Sequence, residues 1–272
     1  KRPTLTDGAH ANEWWDHTTA RYLLTTPKPE TALSLMKTHN VSYLLIDSTD
    51  LGKYSAYSSI GSDKSGNDRF SWIPTMISDP RQIQETSNGT IRIYQGGSSL
   101  DQDVIYTYQG REIFLPANNA GVGGVVLETK EENGTISFSQ PEGIFVYNGN
   151  QIRIPIRYLY YDNRILDFKE GLNITISIIP RIYQSGESYQ IDSLGALMYL
   201  SPRVTSSLIG QLYILNDPFN NYETVTLVHS EQDSAISFFN SQGANIKDFV
   251  YLDGIRGSIK IIVPLQLIRA PA

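Results

Sequence analysis

Apolar residues recur at helical spacing early in the chain and in short alternating runs later, so the pattern predicts two textures. Trp14, Trp15, Ala20, Leu23 and Leu24 fit one helix opening at Asn12 or Glu13. Thr25-Thr26-Pro27-Lys28-Pro29 interrupts it, because closely spaced prolines remove amide donors and clash with the preceding turn. A second helix is predicted over Glu30 to His39, with Ala32, Leu35 and Met36 on one face and Asn40 placed for a left-handed C-cap. Ser42 to Ile46 reads as a short buried strand. Ser48, Thr49 and Asp50 are each suited to cap a third helix reaching about Ile60. This alternation is that of an α/β layer.

From about Ile91 short strands with turn signals take over: Ile91 to Tyr94, Val104 to Tyr108, Glu112 to Leu115, Val125 to Glu128, Thr135 to Phe138, Gly143 to Tyr147, Gln151 to Leu159 and Leu172 to Ile179. Asn133-Gly134 and Asn148-Gly149 mark hairpins, since Asn-Gly accepts the positive φ of a type I′ turn. A helix returns at Ser201-Pro202, with Val204, Leu208, Leu212 and Leu215 as a core-facing stripe until Asp217-Pro218. Strands over Thr224 to His229, Phe249 to Leu252 and Ser258 to Val263 close the chain. The expected class is α+β. A mixed α/β core built from residues 1–95 and 191–272 would carry an inserted barrel- or sandwich-like β-rich module over residues 96–190.

Charge narrows the function. A formal net charge of −6 without a basic cluster argues against a nucleic-acid partner. The absence of cysteine excludes disulfides, thiolate metal sites and a cysteine nucleophile. No apolar run reaches the ~20 residues that span a bilayer. A start at Lys1-Arg2-Pro3, with neither Met nor an apolar leader, is expected of a domain cut from a longer protein.

Recognisable catalytic patterns are few. His10, His17, His39 and His229 form no metal-ligand spacing, and no Gly-x-Ser-x-Gly elbow occurs. Gly121-Val122-Gly123-Gly124 lacks the Lys-Ser/Thr of a phosphate loop and reads as a hairpin turn or a close backbone approach. Asp50 and Lys53, three apart, share a helix face; from the residues alone they are a surface ion pair. Trp14 and Trp15, about 100° apart on a helix, cannot both face one core.

The order of these segments is informative. Arg2-Pro3-Thr4-Leu5-Thr6-Asp7-Gly8 precedes Pro29-Glu30-Thr31-Ala32 and its helix; Val41 to Ile46 and then Asp50-Leu51-Gly52-Lys53 follow. That order resembles the catalytic subunits of oligosaccharyltransferases, most closely the archaeal ones. The likeness is clearest over Lys1 to Ile60, with an echo from Leu200 to Phe219 and from Phe249 to Lys260. It implies the C-terminal, extracytoplasmic domain of a multi-pass membrane enzyme that moves a lipid-linked oligosaccharide onto Asn of Asn-X-Ser/Thr.

The resemblance assigns the family's D-x-x-K element to Asp50 and Lys53, with Tyr57 where the family has Met or Ile and Ile60 about one turn on. Trp14-Trp15-Asp16 looks like the family's Trp-Trp-Asp signature but is expected to be a look-alike beside the pocket, the true motif lying upstream. No catalytic residue or metal ligand is expected within the chain, which alone would be inactive. The divalent ion, Mn or Mg, is assigned to the transmembrane part. Implied partners are the acceptor sequon, the lipid-linked oligosaccharide and the protein's own N-terminal transmembrane domain, at the extracytoplasmic face of the cell membrane. The chain's own sequons offer Asn88, Asn133 and Asn173 as glycosylation candidates, with Asn40 read as a helix cap. The alternative is a non-enzymatic β-rich cell-surface or carbohydrate-binding module.

Overall fold

The computed structural model describes Leu5, residues 12–108 and residues 110–264. Arg2, Asp7, Gly8 and His10, which the sequence reading singled out, lie outside the described residues. Two compact units result. The first holds the described residues up to Ile73, then Arg203–Phe249 and the described residues from Ile255; the second holds Pro74–Pro202 and Val250–Gly254. The boundaries thus fall at Pro74 and Pro202 rather than near residues 95 and 191.

In the first unit, Asn12 caps helix α1 (Glu13–Thr19) by accepting from the Trp15 amide at 3.2 Å. A π-helical turn, Ala20–Leu24, continues it and is closed by the Thr25 amide and hydroxyl, which donate to the Ala20 carbonyl at 3.0 and 2.7 Å. Helix α2 (Pro29–Thr38) begins with proline in its first turn and buries Ala32 and Met36. Asn40 follows at φ 50°, the left-handed cap the sequence predicts. Helices α3 (Ser48–Gly52) and α4 (Tyr54–Ile60) take the place of the single third helix. Later come α5 (Pro202–Ser206), a second π-helical stretch, Ile209–Ile214, and α6 (Ser234–Ser241). Val204, Leu208, Leu212 and Leu215 are buried as the stripe predicts. A three-stranded antiparallel sheet places Ile259–Pro264 between Leu44–Ile46 and Val225–Glu231.

The second unit is a closed seven-stranded barrel of β1 (Thr75–Ser78), β2 (Thr90–Ser99), β3 (Gly121–Glu132), β4 (Glu142–Tyr147), β5 (Asn150–Tyr161), β6 (Leu172–Ser185) and β7 (Ser188–Leu200). Neighbours in sequence are neighbours in the sheet, and β7 closes on β1 through Ala196, Leu197 and Met198. Six of the seven pairings are antiparallel and β5–β6 is parallel. An odd number of strands winding up and down forces one parallel pair, and a return strand, Arg164–Asp167, supplies the reversal that permits it. Tyr94, Val125, Leu127, Phe145, Ile154, Ile156, Ile176 and Leu197 are among the buried residues that fill the barrel.

Gly121 to Gly124 lies within β3 and is not a hairpin turn. The reading of close backbone approach holds: a Cβ on Gly124 would sit 2.6 Å from the Tyr94 carbonyl oxygen, and one on Gly121 2.9 Å from that of Ser98. The fold is therefore α+β, with the β-rich module a barrel.

Candidate functional site

The D-x-x-K segment is organised by a helix cap. Asp47, in extended backbone, accepts from the Thr49 amide at 2.7 Å, and the Asp50 carboxylate returns to the Asp47 amide at 3.0 Å, so each satisfies an amide the other end of the turn leaves open. Asp50 therefore belongs to the third helical position, and Asp47 is the cap in place of the three residues expected. The other oxygen of Asp50 accepts from the Tyr57 hydroxyl at 2.8 Å. Burial holds the Tyr57 hydroxyl above its ordinary ionisation range, and its bond to the Asp50 carboxylate adds to this.

Lys53 occupies the junction where α3 ends and α4 begins. Its amide donates to the Thr49 carbonyl, and its own carbonyl accepts from the Tyr57 amide, both at 3.0 Å. Its side chain is exposed. Among the described residues it makes no ion pair, so Asp50 is held by the Asp47 amide and Tyr57, and the expected surface pair with Lys53 is not formed. An anchored carboxylate and an uncommitted ammonium thus stand one helical turn apart. Ile60 is exposed at the far end of α4.

Helix α1 meets that far end. His17 Nδ1 lies 2.7 Å from the Ile60 carbonyl oxygen, and Arg21 donates to the Gly61 carbonyl at 2.8 Å. The Trp14-Trp15-Asp16 segment is therefore carried on the element that holds the C-terminal end of α4. Trp15 turns its ring edgewise to His39, centroids 4.9 Å apart, while Trp14 packs edge-on against Trp15 and stays 63% exposed. The two indoles diverge as their helical spacing requires.

Two features escaped sequence reasoning. Lys260, on the central strand, is 1% exposed; its ammonium donates to the Tyr213 carbonyl at 3.0 Å and to Asn216 Oδ1 at 2.6 Å, over the rings of Tyr213 and Phe249. Burial pulls its pKa below the ordinary lysine value, with Asp248 opposing. Tyr213, whose hydroxyl donates to the Ser258 carbonyl at 2.8 Å, has its pKa raised by burial and then by the charges of Asp47 and Asp50. A lysine between isoleucines in a strand gives no sequence signal of its own. The second feature is a group of arginines: Arg21 and Arg69 at Asp68, with Arg203 near Arg69. They are far apart in the chain, and only the fold reveals them.

The sequons differ in accessibility. Asn133 (φ 53°) and Gly134 (φ 74°) form the exposed tip of the hairpin between β3 and Thr135–Phe138. Asn88 lies in an exposed turn, its amide on the Thr86 hydroxyl at 3.2 Å. Asn173 is exposed on β6, but the Thr175 of its sequon is fully buried. The sequence matches no family model and no curated protein.

Proposed function

We propose that this chain is the acceptor-reading domain of an oligosaccharyltransferase, and that the Asp50–Lys53 corner binds the hydroxyl residue of Asn-X-Ser/Thr. One observation carries the reading: Asp50 is locked by the Asp47 amide and Tyr57, whereas Lys53, one turn away, is exposed and uncommitted. The order of segments around this corner resembles that of the oligosaccharyltransferase catalytic subunits.

The chemistry of selection follows from the groups present. A sequon hydroxyl both donates and accepts. The fixed Asp50 carboxylate accepts only, and the Lys53 ammonium donates only, so the pair is complementary to a hydroxyl. A residue lacking that hydroxyl would leave the Lys53 ammonium without its partner on binding, while Asp50 keeps the Asp47 amide and Tyr57; the unpaired ammonium is the physical basis of discrimination. Tyr57, where the family has an aliphatic residue, spends its hydroxyl on Asp50. Among the described residues no three His, Asp or Glu side chains converge as a metal site would need.

The test uses the full-length parent in membranes, supplied with lipid-linked glycan and a labelled Asn-X-Thr peptide, with Asn-X-Ala as control. Glycopeptide is scored by gel shift. Transfer that drops sharply in Lys53→Ala supports both the enzyme class and the corner. Transfer that Lys53→Ala leaves unchanged keeps the enzyme and removes the site, and no transfer at all favours the cell-surface module.

A further inference from the structure

Arginine side chains carry five donors and a permanent charge, so a half-buried one without an acceptor is informative. Two guanidinium groups, Arg21 and Arg69, face the Asp68 carboxylate, and Arg203 lies beside Arg69 on the Phe70 carbonyl. Arg21 takes most of the carboxylate: one terminal nitrogen donates to Asp68 Oδ2 at 2.7 Å and the other to the Gly61 carbonyl at 2.8 Å. The remaining oxygen of Asp68 accepts from the Asp63 amide at 2.8 Å. Arg203 spends one nitrogen on the Phe70 carbonyl at 2.9 Å.

Arg69 is left over. Its Nε is buried without a hydrogen bond, and its nearest acid, Asp68, is 3.9 Å away, beyond hydrogen-bond reach. The side chain as a whole keeps 22% of its surface, so a small ligand can reach its exposed part but not the buried Nε. Burial lowers the Arg69 pKa, and the nearby charges of Arg21 and Arg203 push the same way. Three positive groups against one negative leave a local charge of two, in a chain whose net charge is −6.

We propose that Arg21, Arg69 and Arg203 form a binding site for a phosphate-type oxyanion, with the Arg69 guanidinium as its bidentate fork. A tetrahedral dianion matches the local excess charge, and its paired oxygens fit the two terminal nitrogens of a guanidinium, leaving the buried Nε aside. A peptide carboxylate neutralises only half of that excess. The anion is either free phosphate or diphosphate, or the diphosphate headgroup of a polyprenyl lipid. The second source rests on the oligosaccharyltransferase reading; the first does not.

Two arms separate the sources. Isothermal titration of the chain with inorganic diphosphate measures the shared chemistry, and co-flotation with phosphatidylcholine vesicles, with and without a polyprenyl diphosphate, measures the lipid form. Saturable binding is expected, weakened at least about tenfold in Arg69→Gln and partly restored in Arg69→Lys, which keeps the charge but loses the fork. Flotation only with the doped vesicles assigns the lipid; heat with diphosphate and no flotation assigns the free ion. Absence of both overturns the site, as does Arg69→Gln binding like the wild type. Should Arg69→Gln lose its far-UV circular dichroism, Arg203→Gln carries the same expected weakening, and unchanged binding there overturns the proposal. The peptide-transfer assay of Lys53→Ala is independent, so failure of one reading is distinguishable from failure of the other.

Discussion

The barrel and the helical unit use polar groups in opposite ways. In the barrel, the strands satisfy one another's backbone, and polar side chains mostly tie one strand to another: Tyr94 donates to the Leu194 carbonyl at 2.7 Å, and Arg92 meets Asp192 at 2.8 Å. Most such groups are paired, the Arg92 Nε and the Ser78 hydroxyl being buried exceptions. In the helical unit, charges sit where the backbone is irregular, at a split helix, two π-helical stretches and a central strand. There some groups are deliberately left half-served: Lys53 is uncommitted, Arg69 lacks an acceptor, and Lys260 is buried on neutral oxygens alone. Closed ladders leave little for a ligand to complete. Helix junctions leave a great deal.

The comparison can be broken most severely in the barrel. Phe145→Ala should cost about 3–5 kcal/mol, because a fully buried ring leaves a cavity the closed sheet cannot collapse; urea unfolding measures it, and a loss below about 1 kcal/mol would mean the barrel interior is not packed as a core. Next, Gly124→Ala should cost about 1–3 kcal/mol, because its Cβ meets backbone that cannot yield. Gly97→Ala, open on that side, should stay near neutral in the same assay. Equal effects at the two glycines would remove close strand approach as the cause.

In the helical unit the expected losses of stability are smaller. Tyr57→Phe should cost about 1–2 kcal/mol by releasing the Asp50 carboxylate, and in the transfer assay it should raise KM for the acceptor more than it lowers kcat. The smallest effect is a slope. Lys260 has a folded pKa below its ordinary 10.5, so between those values the unfolded chain binds more protons, and stability rises with pH. Measured as the difference between wild type and Lys260→Met, this rise should appear as pH approaches 10.5. Above about 10 the buried tyrosines oppose it in both proteins: Tyr94, Tyr199 and Tyr213 have folded values above the ordinary 10.0, so their contribution is lost as pH climbs through those values. A flat difference would place the Lys260 ammonium in a solvated setting.

Much of this contrast was readable from residues, and the exceptions have physical causes. The pattern found the strands over Val104–Tyr108 and Thr135–Phe138, and from Gly143 the strand Glu142–Tyr147, because each presents one face inward. It missed β7, whose first half, Ser188 to Ser193, is mostly exposed while its second half is buried continuously, so neither half alternates. It missed β1, too short to set a period, and α6, whose Phe238 is exposed beside a buried Phe239. Those two strands moved the boundaries of the module. The Asp50–Lys53 pair was visible because three-residue spacing is local. Its geometry was not, because Tyr57 and the cap at Asp47 decide where the Asp50 carboxylate goes. The arginine group was invisible, since Arg21, Arg69 and Arg203 meet only through tertiary packing.

The seam between β1 and β7 has a consequence for how the protein is made. Thr75, Met76 and Ile77 find their partners in Met198, Leu197 and Ala196, at the opposite end of the module. During synthesis the chain emerges from its N-terminal side, so β1 to β5 exist as an open ribbon until the residues up to Leu200 have been translated. Throughout that interval the ribbon has a free margin of amides and carbonyls on which another nascent chain can add. The brevity of β1 keeps that margin small: four residues offer a poor template, and the long-range contact they eventually make is the slow kind. A short first strand is thus a safeguard for a barrel that cannot shut until its last strand arrives.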